Sequence, residues 1–119
     1  MDNLWAEAAR LRNTAVWSWQ GWRSAWATEK SLRQWSLANA VSAALALTLD
    51  LSGAERAVLI GLGVMILAVE LLNTAIEEVV DYISIQDHPC AKKAKDCGSA
   101  AVAVAAIAAG LAWLFVLAG

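Results

Sequence analysis

Three long apolar runs separated by short polar segments dominate the chain. Leu32 to Leu51 is apolar apart from a few polar side chains, Ala57 to Leu72 is apolar until Glu70, and Gly98 to Ala118 carries no charge. A bilayer core about 30 Å thick requires about 20 such residues in a helix, so the last run is long enough to span it, whereas the first two are shorter or interrupted. We predict an all-α membrane protein in one domain, 1–119, whose transmembrane helices occupy about 32–51, 55–84 and 97–118.

The first 30 residues show a different pattern. Their apolar positions recur at steps of three and four and form one stripe on a helix: Ala8, Leu11, Ala15, Trp19, Trp22 and Trp26. Six of the seven Trp residues lie at or before Trp35, and indole rings favour the level of the lipid headgroups. This region lacks the apolar segment of a cleavable signal peptide, so we predict an amphipathic surface helix over 1–30. A membrane anchor explains the stripe better than catalysis does, and Arg10, Trp17 and Arg23 lie off it.

Composition and charge agree with a membrane protein. Of the 119 residues, 60% are hydrophobic and 17% are charged, and the mean hydropathy is +0.53, values that a soluble domain rarely has. Five of the nine Lys and Arg residues precede or open the first apolar run, three lie in the segment 85–96, and one lies in the first connection. Because Lys and Arg collect on the cytoplasmic side of a membrane, we expect the N-terminus and the 85–96 loop to be cytoplasmic.

The segment VELLNTAIEEVVD, residues 69–81, gathers polar side chains at the end of the second apolar run. At about 100° per residue these side chains share one helix face, and this face carries Glu70, Asn73, Glu77 and Asp81. An ionisable side chain at the edge of the hydrocarbon is costly to insert and marks function by default. Exposure to water beyond the membrane explains Glu78 well, but it explains Glu70 and Asn73 poorly.

Carboxylates on one face indicate a hard cation such as Mg²⁺, which takes oxygen ligands and often keeps waters and substrate phosphates. Lys95 and Asp96 directly precede the third run at the same membrane face, so we interpret the combination as a site for phosphate chemistry. The chain has no G-x-x-x-x-G-K-[ST] motif. A nucleotide would therefore be held by metal bridges, Lys or Arg contacts and backbone groups.

A zinc site in the 85–96 loop is the alternative that His88, Cys90 and Cys97 raise. These side chains could supply three ligands, but without a paired Cys-x-x-Cys the spacing is a weak zinc signature. In a cytoplasmic loop the two thiols are expected to remain reduced.

Two quoted motifs carry a resemblance to a known family. ELLNTAIEEVVD at 70–81, then His88, then AKDCGSAAV at 94–102, resemble the signature region of the prokaryotic integral-membrane diacylglycerol kinases. The resemblance implies a homotrimeric lipid kinase of the bacterial inner membrane with active sites shared between subunits. Such an enzyme transfers the γ-phosphoryl of MgATP to the hydroxyl of diacylglycerol and forms phosphatidic acid.

The resemblance also implies a role for individual residues. Glu70 corresponds to the catalytic base, and Glu29 and Glu77 correspond to the metal ligands. The residues that correspond to ATP contacts are Arg10, Trp17, Glu29, Glu77, Gln86, His88, Lys95 and Asp96. The residues that correspond to lipid-substrate contacts are Arg10, Glu70, Asn73 and Ser99. At Trp17 the family more usually has Tyr.

Several alternatives remain open from the sequence. His88 could be a solvated loop residue, and Asp96 could be the N-terminal cap of the third transmembrane helix. A kinase of the same family that acts on undecaprenol would show the same motifs, and an oligomeric cation carrier could use rings of Glu70 and Glu77. Ala101, Ala105 and Ala109 form a small-residue ridge suited to close helix packing in lipid, but packing within one chain would use the same ridge, so the trimer rests on the resemblance.

Overall fold

The computed structural model describes residues 2–119, and within them the chain forms four helices and no strand. The helices are α1 (Asp2–Thr28), α2 (Lys30–Thr48), α3 (Gly53–Ile83) and α4 (Pro89–Ala118). The all-helical class predicted from the hydropathy pattern is confirmed. Met1 lies outside the described residues.

The start of α4 differs from the prediction. This helix begins at Pro89 rather than near 97, so most of the segment predicted as a loop at 85–96 belongs to its first turns. The local sequence explains the earlier start, because proline is preorganised for the first helical position and needs no hydrogen bond for its nitrogen there. The His88 side chain completes the helix start by accepting a hydrogen bond from the Cys90 backbone N–H at 3.0 Å.

The connections between the helices are short and satisfy the helix ends. Glu29 alone separates α1 from α2 and has extended backbone angles (φ −103°, ψ 105°). Ser52 and Glu55 form a reciprocal capping box at the start of α3. Arg56 donates to the carbonyl oxygens of Ala46 and Leu49 at 2.9 Å each, which satisfies acceptors that the end of α2 would otherwise leave free.

The central helix is α3, because α2 and α4 both pack on it and their backbones do not approach each other in the described part of the chain. One side-chain bond crosses between the two flanking helices, from the Trp113 indole N–H to Ser42 Oγ at 2.9 Å. The molecule measures 51 × 47 × 22 Å. Ala25 is the buried residue of α1 and residues 2–12 are exposed, so most of α1 extends away from the other helices.

Two of the helices in residues 2–119, α3 and α4, are long and apolar enough to cross a membrane. They correspond to the second and third predicted spans. The 19-residue helix α2 is less apolar than α3 and α4 and does not qualify as a span by the same test of length and composition. This agrees with the polar residues that interrupt its sequence.

Candidate active site

The inward face of α3 is a single stripe that changes from apolar to polar along its length. Its residues follow one another at steps of three and four: Leu59, Gly63, Ile66, Glu70, Asn73 and Glu77. The helical period therefore directs Glu70 toward the neighbouring helices, where only 4% of its surface is exposed. Glu77 is half-buried one turn beyond Asn73, whereas Glu78 is exposed. The face predicted from the sequence is the face that packs.

Asn73 lies between the two carboxylates and against α4. Its Nδ2 donates to Glu77 Oε1 at 3.4 Å, and the amide also lies within reach of the Glu70 carboxylate. Its Oδ1 is buried and has no hydrogen-bond partner within residues 2–119. A Cβ built on Gly98 would overlap this oxygen. Asn73 thus occupies a notch in α4 that exists because position 98 has no side chain.

Glu29 joins this group from the break between α1 and α2. Its side chain is half-buried and does not cap α2, so the carboxylate is not used by the helix it precedes. Glu29 and Glu77 are both close enough to Glu70 for their charges to interact with it. We call Glu29, Glu70, Asn73 and Glu77 the Glu70 cluster.

A cleft of about 670 Å³ lies where α3 connects to α4. It is lined by polar and charged side chains from both helix ends, among them Asp81, Gln86, Asp87, His88, Lys92, Lys95 and Asp96. Four residues that resemblance assigns to ATP, namely Gln86, His88, Lys95 and Asp96, are therefore brought together here. We call this space the loop cleft.

Lys95 connects the loop cleft to the Glu70 cluster. Its Nζ donates to Asp81 Oδ1 at 2.6 Å across the α3–α4 contact. This hydrogen bond raises the pKa of Lys95, which precedes the predicted span at 97–118, and the charges of Glu77 and Asp87 act in the same direction. Lys95 therefore stays protonated at neutral pH and presents its positive charge beside three carboxylates.

The observed start of α4 decides two alternatives that the sequence leaves open, the roles of Asp96 and His88. Asp96 lies inside α4, where it pairs with Lys92 at i, i+4, so the interpretation of Asp96 as an N-terminal cap is wrong. His88 is exposed, as expected of a loop residue, but its Nδ1 caps α4. The cap is His88 rather than Asp96 because α4 begins at Pro89, eight residues before the predicted start at 97.

The metal-binding side chains of residues 2–119 do not form a compact site. Within residues 2–119, no three or more His, Cys, Asp and Glu side chains are arranged as a group that could hold a metal ion. His88, Cys90 and Cys97 therefore do not form the alternative zinc site, and both cysteines are exposed and free. The Glu70 cluster instead offers oxygen donors from separate elements, a set that suits Mg²⁺ because this ion commonly takes one or two carboxylates and completes its shell with water and phosphate.

Three predicted site residues are not joined to these groups by any hydrogen bond in the described chain. Arg10 pairs with Glu7 at 2.7 Å on the exposed part of α1, and Trp17 is exposed on the same helix. Ser99 is exposed on α4, next to the Gly98 notch. Arg10 and Trp17 could reach the Glu70 cluster only from another position of α1 or from another copy of the chain.

Two features of the site were missed as contributors. The sequence pattern places Asp81 on the carboxylate face but does not identify it as the partner of Lys95, and it assigns no role to Gly98. The sequence held a signal for the first, since acidic and basic residues flank a short connection between antiparallel helices. It held none for the second, because a glycine does not reveal which side chain will approach it.

Comparisons with known proteins agree with this picture. A family model described as prokaryotic diacylglycerol kinase matches residues 16–117. The chain is 40% identical over 117 residues to the diacylglycerol kinase of Escherichia coli strain K12, covering 98% of this chain and 96% of that protein. It is 42% identical over 110 residues to the diacylglycerol kinase of Pseudomonas aeruginosa, covering 92% and 89%. It is 34% identical over 103 residues to that of Haemophilus influenzae, covering 87% of each.

Proposed function

The chain belongs to the prokaryotic diacylglycerol kinase family, and on that premise we propose that it transfers the γ-phosphoryl group of ATP to the hydroxyl of diacylglycerol, giving phosphatidic acid and ADP. The observation that carries this proposal is the placement of Glu70. Glu70 is a buried carboxylate on a membrane-spanning helix, and it lies beside two further carboxylates. The loop cleft, which Lys92 and Lys95 help to line, lies at the end of the same helix, where α3 connects to α4. This arrangement suits a reaction between a lipid alcohol and a water-soluble phosphate donor.

In the proposed mechanism, Glu70 accepts the proton of the lipid hydroxyl. The alcohol oxygen then bonds to the γ-phosphorus as the bond from that phosphorus to the bridging oxygen of ADP breaks. Direct phosphoryl transfer depends mainly on positioning and on stabilisation of negative charge. Asn73 holds the lipid hydroxyl near Glu70, and Ser99, on the neighbouring helix, contacts the lipid. Lys95 stabilises the charge that develops on the phosphoryl oxygens.

Glu29 and Glu77 are the residues proposed to hold Mg²⁺. A Mg²⁺ ion held by these two carboxylates would supply positive charge that offsets the negative charge of the phosphates. The half-buried position of both carboxylates beside Glu70 supports this assignment. Gln86, His88, Lys95 and Asp96 would contact the nucleotide from the loop cleft, and Arg10 and Trp17 would contact it from α1.

The proposed membrane topology has three spans, α2, α3 and α4, with α1 on the cytoplasmic surface of the bacterial inner membrane. The Lys and Arg residues near α1 and at the start of α4 support a cytoplasmic N-terminus. The apolar character of α3 and α4 supports two of the spans. The third follows from the alternation, because α2 must carry the chain out across the membrane before α3 can return it to the cytoplasmic side.

A homotrimer with shared active sites is also part of the proposal. One chain leaves Glu29 and Glu77 of the Glu70 cluster only half-buried, and the backbones of α2 and α4 do not approach each other in the described residues. In this chain Arg10 pairs with Glu7 rather than with the cluster. A neighbouring subunit could bring these α1 residues to the site and cover it.

The decisive experiment is phosphate transfer in mixed micelles. Purified protein is incubated with ATP labelled in the γ-phosphate, Mg²⁺ and either diacylglycerol or undecaprenol, and labelled lipid is extracted and counted. We expect labelled phosphatidic acid and little labelled undecaprenyl phosphate. Preferred labelling of undecaprenol would favour the other lipid alcohol, whereas no ATP-dependent labelling of either would remove the kinase and leave the cation carrier.

A further inference from the structure

A second asparagine contacts a second glycine, deep in the apolar part of the bundle. Asn39 on α2 faces Gly63 on α3, and a Cβ built on Gly63 would overlap Asn39 Oδ1 and lie 3.2 Å from its Cγ. The Asn39 Nδ2 donates to the Trp35 carbonyl oxygen at 2.9 Å. The amide is thus held between its own helix and α3, and it fits there because position 63 has no side chain.

This contact sets a register between two antiparallel helices. Glu29 precedes Asn39 by ten residues on α2, and Asn73 follows Gly63 by ten residues on α3. At 1.5 Å per residue, both intervals measure about 15 Å. Contact between Asn39 and Gly63 therefore brings Glu29 level with Asn73, between Glu70 and Glu77. The electrostatic interaction of Glu29 with Glu70 agrees with this register.

Glu29 has no polar attachment to α3 in the described chain, and the packing next to it on α2 is apolar, through the fully buried Leu32. No hydrogen bond within residues 2–119 joins its side chain to α3, and its nearest polar partner is the adjoining Thr28 hydroxyl at 3.4 Å. The opposite wall of the site is different, because the Asn73 side chain meets Gly98 of α4 within the cluster itself. The amide–glycine contact with α4 thus lies at the site, whereas the amide–glycine contact with α2 lies about 15 Å from it.

We propose that Gly63 and Asn39 are positioning residues for the kinase reaction, because their contact fixes where Glu29 stands relative to Glu70 and Glu77. The inference rests on the proposed function, in which Glu29 is a metal ligand. A side chain at position 63 would displace α2 along or away from α3. Glu29 would move with it, since a helix in a packed bundle shifts as a unit.

The proposed register of α2 on α3 is tested by measuring a distance between the two helices, which does not require enzyme activity. Spin labels are attached at Lys30→Cys and Glu78→Cys, two exposed sites on α2 and α3, in the full chain carrying Cys90→Ser and Cys97→Ser and diluted with unlabelled chain. Gly63→Ala should shift the mean distance by about 1 to 2 Å, the size of helix displacements at packed interfaces. Gly61→Ala is the matched control, since a Cβ there meets nothing within 4 Å.

A second substitution separates displacement of α2 from simple rotation of the amide. Asn39→Ala in the Gly63→Ala background removes the overlapping atoms and should return the distance to its original value. A cavity of about 160 Å³ borders Asn39, and the amide of a Gly63→Ala protein could swing into it without moving α2. An unchanged distance in Gly63→Ala would overturn the proposal.

The functional part is tested by titrating Mg²⁺ at saturating ATP and lipid. Gly63→Ala should raise the Mg²⁺ concentration for half-maximal rate about tenfold, as expected when a group that supports a metal ligand is disturbed. Asn39→Ala should restore it in the double variant, and Gly61→Ala should not change it. A role in stability alone would lower the yield of folded protein and leave the half-saturating concentration unmoved, which would contradict the proposal. Absence of kinase activity in the unsubstituted chain would instead refute the proposed function, and the label distance would still decide the register.

Discussion

The two halves of the buried face of α3 share one geometry and have opposite chemistry. Leu59, Gly63 and Ile66 occupy one half, and Glu70, Asn73 and Glu77 continue the same steps of three and four. Leu59 is 1% exposed and Glu70 is 4% exposed, so the helix treats both as core positions. The candidate site is therefore a continuation of the core, made by placing carboxylates where the packing pattern would accept aliphatic residues.

This comparison predicts that the polar half of the face serves the reaction and the apolar half serves the stability of the fold. Burial of an aliphatic side chain stabilises packing, whereas burial of a carboxylate is costly unless a partner or a function compensates. Substitutions in the polar half should therefore change the reaction rate much more than the stability. Truncation of an aliphatic side chain in the apolar half should do the reverse, whereas Gly63 is an exception because its contact with Asn39 is proposed to position Glu29.

The largest effect is expected from Glu77→Gln. This change removes the charge of one proposed metal ligand and keeps its shape, so turnover should fall to the assay background while the protein still inserts and assembles. Phosphatidic acid formation at fixed Mg²⁺ measures it. Glu78→Gln is the matched control, because Glu78 is the next residue but exposed, and it should retain nearly full activity. Substantial activity of Glu77→Gln at ordinary Mg²⁺ would remove the metal assignment.

Glu70→Gln should have the next largest effect. A general base contributes typically 10²- to 10⁴-fold to rate, so kcat should fall at least about a hundredfold while the KM for MgATP stays nearly the same. Steady-state kinetics in mixed micelles separate the two constants. A near-normal kcat would show that Glu70 is not the base, and the carboxylate face would then require the carrier interpretation.

Mixing inactive subunits tests whether one active site contains residues from two chains. If one site draws Glu70 and Lys95 from different chains, inactive Glu70→Gln subunits combined with inactive Lys95→Ala subunits should recover part of the activity. The measurement is the rate after verified subunit exchange. No recovery would argue that both residues of a site come from one chain, as the Lys95–Asp81 bond within this chain allows.

A smaller loss is expected from Gly98→Ala. The added Cβ would meet the Asn73 amide and move it from its place between Glu70 and Glu77. Misplacement of a reacting group by about 1 Å can cost up to about a hundredfold, so we expect kcat/KM to fall by about ten- to a hundredfold. Gly110→Ala on the same helix is the control, since a Cβ there meets nothing within 4 Å. Equal losses in both variants would show that the effect comes from a general change in α4 rather than from displacement of Asn73.

The smallest effect on rate is expected from Ile66→Ala, in the apolar half one turn from Glu70. Truncation of a buried isoleucine leaves a cavity and should lower the free energy of unfolding by about 2 to 5 kcal/mol. Denaturant titration in micelles measures this loss, and the kcat of the folded fraction should change little. A large fall in kcat without loss of stability would show that the two halves are not separable.

The sequence predicted the inward face of α3 because a helical period requires no knowledge of the neighbours. Glu70, Asn73 and Glu77 share a face at about 100° per residue whatever lies opposite. The start of α4 is predicted too late because Lys92, Lys93 and Asp96 are polar, and polarity alone favours a loop. Proline at position 89 and a capping side chain before it outweighed that polarity.

What the sequence could not supply was the set of contacts between helices. Asn73 against Gly98 and Asn39 against Gly63 depend on how far each helix slides along the next, which no periodicity specifies. The assignments of Glu29, Arg10 and Trp17 came from resemblance. The structure places Glu29 close enough to Glu70 for their charges to interact, while the contacts of Arg10 and Trp17 with the site remain predictions that depend on another position of α1 or on another chain.

The arrangement of both flanking helices on α3 has a consequence for biosynthesis. During synthesis α2 leaves the ribosome before α3 and α4, and it carries Arg33, Asn39 and Ser42 in a segment that is less apolar than those two helices. Arg33 and Asn39 donate to carbonyl oxygens made before them, those of Trp26 and Trp35. The packing of Asn39 against Gly63 and the hydrogen bond from Trp113 to Ser42 require helices made later. We expect the translocon to release α2 and α3 into lipid together as a helical hairpin, so that a ribosome stalled before α3 emerges would leave α2 uninserted.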